Sequence, residues 1–286
     1  MGNNMESEER HTYEYDVDLS GDTAPARVVR MVGDSKQVLE IGAGPGSITR
    51  HLKGAGGCEV TALELDADAI KILKPFCRKV VQANLNDPDW PSMLDGEGPF
   101  EVVVAADVLE HVYDPWITLQ KFKGFLKDDG YIVISLPHVG HNAIIACLLG
   151  ENFEYRDWGL LDRTHIRFFG IRNIESLFEQ SGLKIVEAQF VLVPPEESEF
   201  AGAWQNLSPQ MRSQLAENRF GDVYQVVVKA VPSDAAGDAI ELTSLARVAP
   251  PTNLGDRARS VARAVLSPEA RARIRHFAAK LGVRSI

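Results

Sequence analysis

The sequence predicts an α/β domain with a doubly wound, mainly parallel sheet of seven strands and helices on both faces. Three observations support this fold class. Short apolar runs alternate with helical patterns from residue 37 to residue 231. The first run, QVLEI, leads directly into three glycines spaced two apart. Acidic and amide side chains follow the next runs, as in sheets that bind a ligand beyond the carboxyl ends of their strands.

Seven segments have the apolar, β-branched composition of strands. They are residues 37–41, 58–65, 79–83, 100–106, 130–137, 183–192 and 222–231. The run FEVVVAA at 100–106 is almost continuously apolar, so we expect both of its faces to be buried.

Helices are predicted between these strands. Five helices are predicted. The first ends near residue 32, the second ends near residue 52, and the other three cover 66–74, 114–127 and 171–181. Thr23 or Asp22 is suited to cap the first of them, and Asp66 the third, because short oxygen-bearing side chains accept from the free amides of a first turn. Pro115 fits the first turn of the 114–127 helix.

Composition divides the chain into three parts. Residues 1–20 are polar and are expected to form a flexible arm whose only aromatic side chains are Tyr13 and Tyr15. Residues 21–231 form the α/β domain. Residues 232–286 are expected to be a linker followed by a basic helical extension.

Charge is distributed unevenly along the chain. Residues 247–286 carry nine Lys and Arg against two Asp and Glu, and the remainder carries 21 against 38. The acidic body disfavours nucleic-acid binding, because phosphate contacts need a positive surface. Two helical stretches are predicted in the basic tail, at about 254–266 and 268–281. We expect them to dock within a homo-oligomer rather than to lie on a membrane.

The sequence also bears on the cellular compartment. The first residues have neither the basic start nor the apolar region of a secretory signal, and no run of eighteen apolar residues occurs. Cys58, Cys77 and Cys147 are odd in number and widely spaced, which indicates a reducing compartment without disulfides or a zinc site. We therefore expect a cytoplasmic protein without stable membrane insertion.

Gly42, Gly44 and Gly46 follow the first strand, which contains Glu40. Glycine packs no side chain and costs backbone entropy, so three at alternate positions indicate that the main chain lies close to a ligand. A dinucleotide fingerprint would place its third glycine at position 47, which is Ser47 here. This spacing disfavours an NAD-type oxidoreductase.

This loop, with Glu40 before it, resembles the E/D-x-G-x-G-x-G loop of class I S-adenosylmethionine-dependent methyltransferases. Two further features are similar: Glu64 at the end of the second strand, and DVLEHV at 107–112, a signature of small-molecule members near the ubiquinone O-methyltransferases. Asn84 stands where the family usually has Asp. The resemblance covers about residues 37–192 and implies a Rossmann-like fold.

The resemblance also implies S-adenosylmethionine as the cofactor. In the family, the glycine loop lies along the methionine part and the ribose, a carboxylate after the second strand accepts from both ribose hydroxyls, and residues after the third strand hold the adenine. The residues that carry these roles here are Glu40, Gly42, Ala43, Gly44, Gly46, Glu64, Leu65, Asn84, Leu85, Asp107, Val108 and His111.

The polar-aromatic segment ENFEYRDWGLLDRTHIRFFG, residues 151–170, lies where this fold carries acceptor-binding insertions. We predict His165 as the general base, with Asp162 as its orienting partner or as an acceptor ligand. His138 and His141, just after the fifth strand, are the alternative bases, or else they cap the next helix. A purely structural role, in which Asp162 and His165 tie the loop to the sheet, is the competing interpretation.

Three arginines of this segment, Arg156, Arg163 and Arg167, would suit an anionic acceptor bearing a carboxylate or phosphate. In some relatives of the ubiquinone type, a group similar to residues 107–111 binds a divalent metal. We assign no metal here, because the same letters occur in metal-free relatives.

The resemblance implies methyl transfer to a small-molecule acceptor, with a hydroxyl of a sugar or glycosylated metabolite as the first expectation. A phenolic or quinone-like ring, a nitrogen or a carbon centre are alternative acceptors. A non-catalytic binding or scaffold protein on the same fold is an alternative of another class. The loop at 193–210 is long enough to act as a lid, with Trp204 closing over the acceptor.

Overall fold

The computed structural model describes residues 13–246, so the predicted basic helices of the tail lie outside the described residues. The seven predicted strands are present. They are β1 (Gln37–Ile41), β2 (Glu59–Glu64), β3 (Lys79–Gln82), β4 (Phe100–Ala106), β5 (Leu126–Pro137), β6 (Leu183–Leu192) and β7 (Val223–Pro232).

Helices cover both faces of the sheet. In chain order they are α1 (Ala24–Val32), α2 (Thr49–Lys53), α3 (Ala67–Leu73), α4 (Pro115–Lys123), α5 (Asn142–Leu149), α6 (Ile171–Gln180), α7 (Ala201–Asn206) and α8 (Pro209–Leu215). Short 3-10 turns occupy Lys74–Phe76, Trp90–Leu94, Leu109–His111 and Pro195–Glu197.

All seven strands form one sheet in the order β3-β2-β1-β4-β5-β7-β6. The pairs are parallel except those of β7, which is antiparallel to both β5 and β6. The strand order reverses between β1 and β4, and ligands of such sheets bind in the crevice beyond the carboxyl ends at this reversal. The predicted fold class is confirmed.

The central strands are buried on both faces, as the apolar run at 100–106 predicts. Along β4, Val103 and Ala105 join the core of one face, whereas Val102 and Val104 join the core of the other. A parallel sheet sandwiched between helices requires this double burial. Burial on both faces holds β1 and β4 in the middle of the sheet, and the functional loops follow the carboxyl ends of these strands.

The predicted caps fit the structure, but one helix is shorter than expected. The Thr23 and Asp66 side chains accept from amides in the first turns of α1 and α3, as predicted, and Asp114 caps α4 in the same way, which was not predicted from the sequence. Helix α4 ends at Lys123 and not near residue 127, because the chain turns at Gly124 and Leu126 already pairs with Phe100 of β4. The strand pairing overrides the helical pattern there.

The segment at 193–210 is structured and carries α7 and the start of α8. Trp204 is buried within α7 and does not line the cavity described below, which corrects its predicted role as a closing residue. Its apolar ring packs as part of the fold instead. No helix in the described part of the chain is long and apolar enough to cross a membrane.

Both ends of the described chain pack onto the domain. The backbone N–H of Tyr15 donates to Ser47 Oγ at 3.0 Å, and Glu14 pairs with Arg50 at 2.9 Å. Beyond β7, the Ile240 N–H donates to the Ile185 carbonyl and Leu242 is fully buried in the core. Packing therefore extends past residue 231, the predicted end of the domain.

Candidate active site

A cavity of about 670 Å³ opens at the carboxyl ends of β1, β2 and β4. One half of it, the cofactor half, is lined by the loops that follow β1, β2 and β3 and by Asp107 and Val108 after β4. The other half, the acceptor half, is lined by Glu110 and His111 of the loop after β4, by two consecutive residues of β7, Tyr224 and Gln225, and by six residues of the polar-aromatic segment: Trp158, Gly159, Leu160, Asp162, Thr164 and His165. Tyr13 and Tyr15 of the N-terminal arm border it.

The glycine loop approaches its neighbours too closely for side chains. Gly42 has a φ of +64°, and a Cβ there would lie 2.7 Å from Val108 Cγ2. Gly44 has a φ of +55° but faces open space, where a ligand can lie against the main chain. Ala43 also lines the cavity, whereas Gly46 packs against Leu73 outside the lining.

Glu64, at the end of β2, is held by three backbone amides. The Gly44 N–H donates to Oε2 at 2.6 Å, and the Leu65 and Asp66 amides donate to Oε1 at 2.7 and 2.8 Å. The carboxylate is thereby fixed at the cavity wall before any ligand arrives. Leu65 lines the cavity beside it and is exposed.

Glu40 is buried beneath the glycine loop. Its Oε2 accepts from Thr49 Oγ1 at 2.7 Å. Burial is the main cause that raises the pKa of Glu40 to about 7, and the nearby negative charge of Glu64 adds to it. This carboxyl group therefore changes its charge near neutral pH.

Asn84 and Leu85 line the cavity after β3, where the adenine is expected. The Asn84 Oδ1 also accepts from the Asn86 amide at 3.0 Å, so the side chain stabilises its own turn. Its second proposed role, accepting from an adenine amino group, is compatible with this bond, because an amide oxygen has two lone pairs.

Asp107 and Val108 follow β4 and line the cavity. Asp107 has a φ of +54°, which is unusual for a residue other than glycine and is typical of functional sites. Its carboxylate accepts from Ser135 Oγ at 2.8 Å and from Gln225 Nε2 at 2.9 and 2.8 Å. Burial raises the pKa of Asp107 despite these donors.

Glu110, His111 and His165 lie together in the acceptor half. The imidazole rings of His111 and His165 meet edge to face with centroids 4.7 Å apart, and Glu110 Oε1 is 3.9 Å from His165 Nε2. Glu110 is fully buried, and among the described atoms neither carboxyl oxygen has a hydrogen-bond partner. Burial raises the pKa of Glu110 well above its ordinary value.

The three residues offer ligand atoms within 4.8 Å of one another. Two imidazole nitrogens and an unpartnered carboxylate are a donor set that a divalent cation accepts. Their chemistry therefore fits a metal ion, although the sequence alone does not favour one.

The tautomer of His165 follows from its backbone contact. Its Nδ1 lies 3.2 Å from the Leu160 carbonyl oxygen, which can only accept, so Nδ1 carries the proton and Nε2 keeps a free lone pair. Burial is the main cause that lowers the pKa of His165 to about 4. The ring is therefore unprotonated at neutral pH, as a general base must be.

Leu160, which orients His165, is itself held by Glu199. The Leu160 N–H and the Tyr224 hydroxyl donate to Glu199 Oε1 at 2.8 and 2.9 Å. Gly159 lies against the same oxygen with a φ of +89°, where no Cβ would fit. A segment far along the chain thus positions the predicted base.

Asp162 lines the cavity but does not orient His165. Its Oδ1 accepts from the Thr164 N–H at 2.8 Å and from Thr164 Oγ1 at 2.6 Å. The Leu160 carbonyl takes the orienting role that the sequence suggests for Asp162. The other suggested role, as an acceptor ligand, remains compatible with this geometry.

His138 and His141 lie outside the cavity lining. His138 Nδ1 contacts the Val223 carbonyl at 3.1 Å, and His141 Nε2 contacts the Val193 carbonyl at 2.7 Å while its Nδ1 caps α5. Both buried rings tie loops to the sheet, so the geometry corrects the suggestion that either serves as the base.

The three arginines of the polar-aromatic segment also lie outside the cavity lining. Arg156 pairs with Glu154 and stacks on Phe200, Arg163 pairs with Asp157, and Arg167 donates to a backbone carbonyl. These arginines therefore do not provide a basic partner in the cavity for the anionic acceptor that they suggest from sequence.

Sequence reasoning missed Tyr224, Gln225 and Glu199. The first two reach the site because β7 inserts antiparallel beside β5, a pairing that local composition does not reveal. Glu199 belongs to a long connection whose path depends on packing between α5 and α7. No short-range signal marks these residues.

A family model described as "Methyltransferase domain" matches residues 19–188. Ubiquinone biosynthesis O-methyltransferases of Glaesserella parasuis and Aromatoleum aromaticum are 27% identical over 124 residues and 26% identical over 159 residues. These alignments cover 41% and 53% of this chain and 52% and 65% of those proteins. The chain thus spans between half and two thirds of the curated relatives.

Two solved structures are similar in fold. One is a methyltransferase in complex with the Trm112 activator of Haloferax volcanii, with a TM-score of 0.51 and 14% identity, covering 74% of this chain and 89% of that one. The other is a SAM-dependent methyltransferase of Thermotoga maritima, with a TM-score of 0.50 and 15% identity, covering 74% and 88%. At these identities the likeness supports the fold alone.

Proposed function

The chain belongs to the methyltransferase domain family, as a class I S-adenosylmethionine-dependent methyltransferase, and we propose that it transfers the cofactor's methyl group to a hydroxyl of a small-molecule acceptor. The single observation that carries this proposal is the joint placement of Glu64 and His165 on opposite halves of one cavity. One residue suits a ribose, and the other suits a hydroxyl that must lose a proton.

The cofactor half is matched to a sulfonium nucleoside. The ribose hydroxyls donate to Glu64, whose carboxylate is already oriented by three amides. Gly42 and Gly44 would hold the methionine part along their main chain, and Asn84 and Leu85 would hold the adenine. No phosphate is involved, which agrees with a glycine spacing unlike the dinucleotide fingerprint.

Methyl transfer is an in-line displacement. The acceptor oxygen forms a bond to the methyl carbon, the carbon–sulfur bond breaks, and its electron pair stays on sulfur as neutral S-adenosylhomocysteine. The hydroxyl proton passes to the free lone pair of His165 Nε2. Since the methyl group is already activated, the protein contributes mainly by holding both reactants in line.

Glu110, His111 and His165 would hold a divalent cation if the reaction uses one. Such an ion supplies Lewis acidity, which lowers the pKa of a hydroxyl. Without it, the Glu110 carboxyl group lies beside the ring that receives the proton, with its Oε1 3.9 Å from His165 Nε2.

The acceptor's hydroxyl belongs either to a sugar or glycosylated metabolite, or to an aromatic ring. Within the polar-aromatic segment, THIRFF at 164–169 resembles a stretch of uncharacterised methyltransferases that are often linked to sugars or secondary metabolites, which favours the sugar. The names of the curated relatives and the aromatic walls formed by Tyr13, Tyr15 and Trp158 favour the ring. A screen with isotope-labelled cofactor against both classes distinguishes them.

Calorimetric titration with S-adenosylhomocysteine tests the cofactor assignment. We expect saturable one-to-one binding that Glu64→Gln weakens by about 10- to 100-fold, because hydrogen bonds to a charged group contribute roughly 1.5–3 kcal/mol. Glu59→Gln is the matched control, because Glu59 lies exposed at the opposite end of β2. Absence of binding to the unaltered protein would overturn the proposed function.

A further inference from the structure

Acidic side chains line the cavity, and they have no Lys or Arg counterpart among its described lining residues. Six carboxyl groups line it, those of Glu40, Glu64, Asp66, Asp107, Glu110 and Asp162. Among the described lining residues there is neither Lys nor Arg. An anionic ligand would therefore enter a partly desolvated space that offers several carboxyl groups and no Lys or Arg side chain as a partner, which is unfavourable.

The arginines nearest in sequence do not change this balance. Arg163 is paired with Asp157 at 2.7 Å on the surface, and Arg156 is paired with Glu154 at 2.9 Å. Arg167 donates its Nε–H to the Tyr113 carbonyl at 3.1 Å. Each guanidinium already has a partner away from the cavity, and turning one inward would break that contact.

The cofactor does not reverse the sign of the cavity either. S-adenosylmethionine brings a sulfonium and an ammonium group against one carboxylate, which adds a single net positive charge. Glu64 and Asp66 lie on the cofactor's side, whereas Glu110 and Asp162 lie in the acceptor half. An acceptor therefore meets carboxyl groups at its own end.

Glu110 specifically lacks hydrogen-bond donors. It is completely buried, it lines the acceptor half, and neither of its oxygens has a hydrogen bond among the described atoms. A buried polar group without a partner costs free energy, and such groups in native proteins are usually satisfied by a ligand, an ion or water. A hydroxyl or ammonium group of the acceptor would supply the missing donor.

The aromatic walls suit the same kind of ligand. Tyr13, Tyr15 and Trp158 border the cavity and keep exposed ring surface. Aromatic faces attract cations and pack against the apolar faces of sugar or aromatic rings. They carry no positive charge that would pair with a phosphate or carboxylate.

From these observations we propose that the methyl acceptor is an uncharged or cationic small molecule that directs hydroxyl or ammonium donors toward Glu110 and carries no phosphate or carboxylate group into the cavity. This inference rests on the proposed function, since it concerns the acceptor of that reaction. It replaces the anionic acceptor that the arginines of the polar-aromatic segment suggest from sequence.

Saturation-transfer NMR on the full chain with saturating S-adenosylhomocysteine tests the proposal with three matched probes. Methyl glucoside is neutral, glucosamine is cationic and glucuronate is anionic at pH 7. We expect the first two to give signals at least about fivefold stronger than the signal of glucuronate. A factor of about five corresponds to one repulsive contact between like charges that is weakened by water and salt. Equal signals, or a stronger one from glucuronate, would overturn the proposal.

Two variants locate the effect in the cavity. Trp158→Ala should reduce the signals of glucosamine and methyl glucoside, because Trp158 lines the cavity, whereas Arg163→Ala should leave the order of the three probes unchanged. An order that depends on Arg163 would also overturn the proposal. Calorimetry with S-adenosylhomocysteine on the same samples tests the proposed function separately. If S-adenosylhomocysteine does not bind, the relative NMR signals of the three probes can still be measured.

Discussion

The two halves of the cavity are built in different ways. In the cofactor half, main-chain groups form most of the binding surface: the amides of three residues hold Glu64, and the glycine backbone lines the cavity. In the acceptor half, side chains from a long loop, a distant strand and the arm line the same space as His165. Backbone geometry is tied to the ends of parallel strands, whereas side-chain convergence depends on tertiary packing. Apart from Glu64, the cofactor half should therefore be most sensitive to substitutions that change its backbone, and the acceptor half to substitutions that remove side chains.

The largest effect is expected in the acceptor half. His165→Ala should lower turnover by about 10²- to 10⁴-fold, the range that a positioned general base contributes. Binding of S-adenosylhomocysteine should stay unchanged, because the two halves are built separately. Turnover of labelled cofactor with the first acceptor found in the screen is the measurement.

His138→Gln is the matched control for that variant. His138 contacts a backbone carbonyl outside the cavity lining, so this variant should lose some stability and keep its turnover. If His165→Ala keeps full turnover, or His138→Gln loses as much, the acceptor half does not work as proposed.

An intermediate effect is expected in the cofactor half, where two glycines can be compared. Gly42→Ala should destabilise the protein by about 2–4 kcal/mol, because the strained φ adds to an overlap with Val108. Gly44→Ala has only the strained φ and should cost about 1–2 kcal/mol. Urea unfolding measures the difference between them.

Cofactor binding separates the two glycines further. The methyl group of Gly44→Ala points into open space that we assign to the ligand, so this variant should lose affinity for S-adenosylhomocysteine beyond its loss of stability. Equal affinities of Gly44→Ala and the unaltered protein would mean that the ligand does not lie along this backbone.

The same division explains what the sequence could predict. Glycine spacing, the strand-end carboxylate of Glu64 and the motif at 107–112 are local signals, and Gly42, Gly44, Glu64 and Asp107 line the cavity at the ends of their strands. His165 was predicted from its residue type and segment. The tautomer of His165 could not be, since it depends on Leu160 and on Glu199 from another part of the chain.

The errors have the same cause. The arginines of the polar-aromatic segment share a short stretch with His165, yet their side chains leave the loop in other directions and find partners on the surface. His138 and His141 follow a strand end, as ligand residues do, but backbone carbonyls of β7 and of the connection after β6 capture their rings. The position of a residue along the chain therefore predicts which part of the fold it lies in, but not the direction in which its side chain points.

The smallest expected effect tests whether a side chain other than Glu64 also matters in the cofactor half. The pKa of Glu40 is raised to about 7 in the folded protein, against an ordinary value near 4.5. A raised carboxyl pKa stabilises the fold below pH 4.5, and this contribution is lost as pH rises toward 7. Ionisation should instead favour the sulfonium cation of S-adenosylmethionine, whose charge S-adenosylhomocysteine lacks.

The ratio of affinities for S-adenosylmethionine and S-adenosylhomocysteine should therefore rise by about two- to fivefold between pH 6 and pH 8, as a partly screened charge pair allows. Calorimetry at both pH values measures it, and Glu40→Gln should make the ratio independent of pH. A constant ratio in the unaltered protein would mean that Glu40 lies too far from the sulfur to sense it. The cofactor half would then discriminate its ligands through the main chain and Glu64 alone.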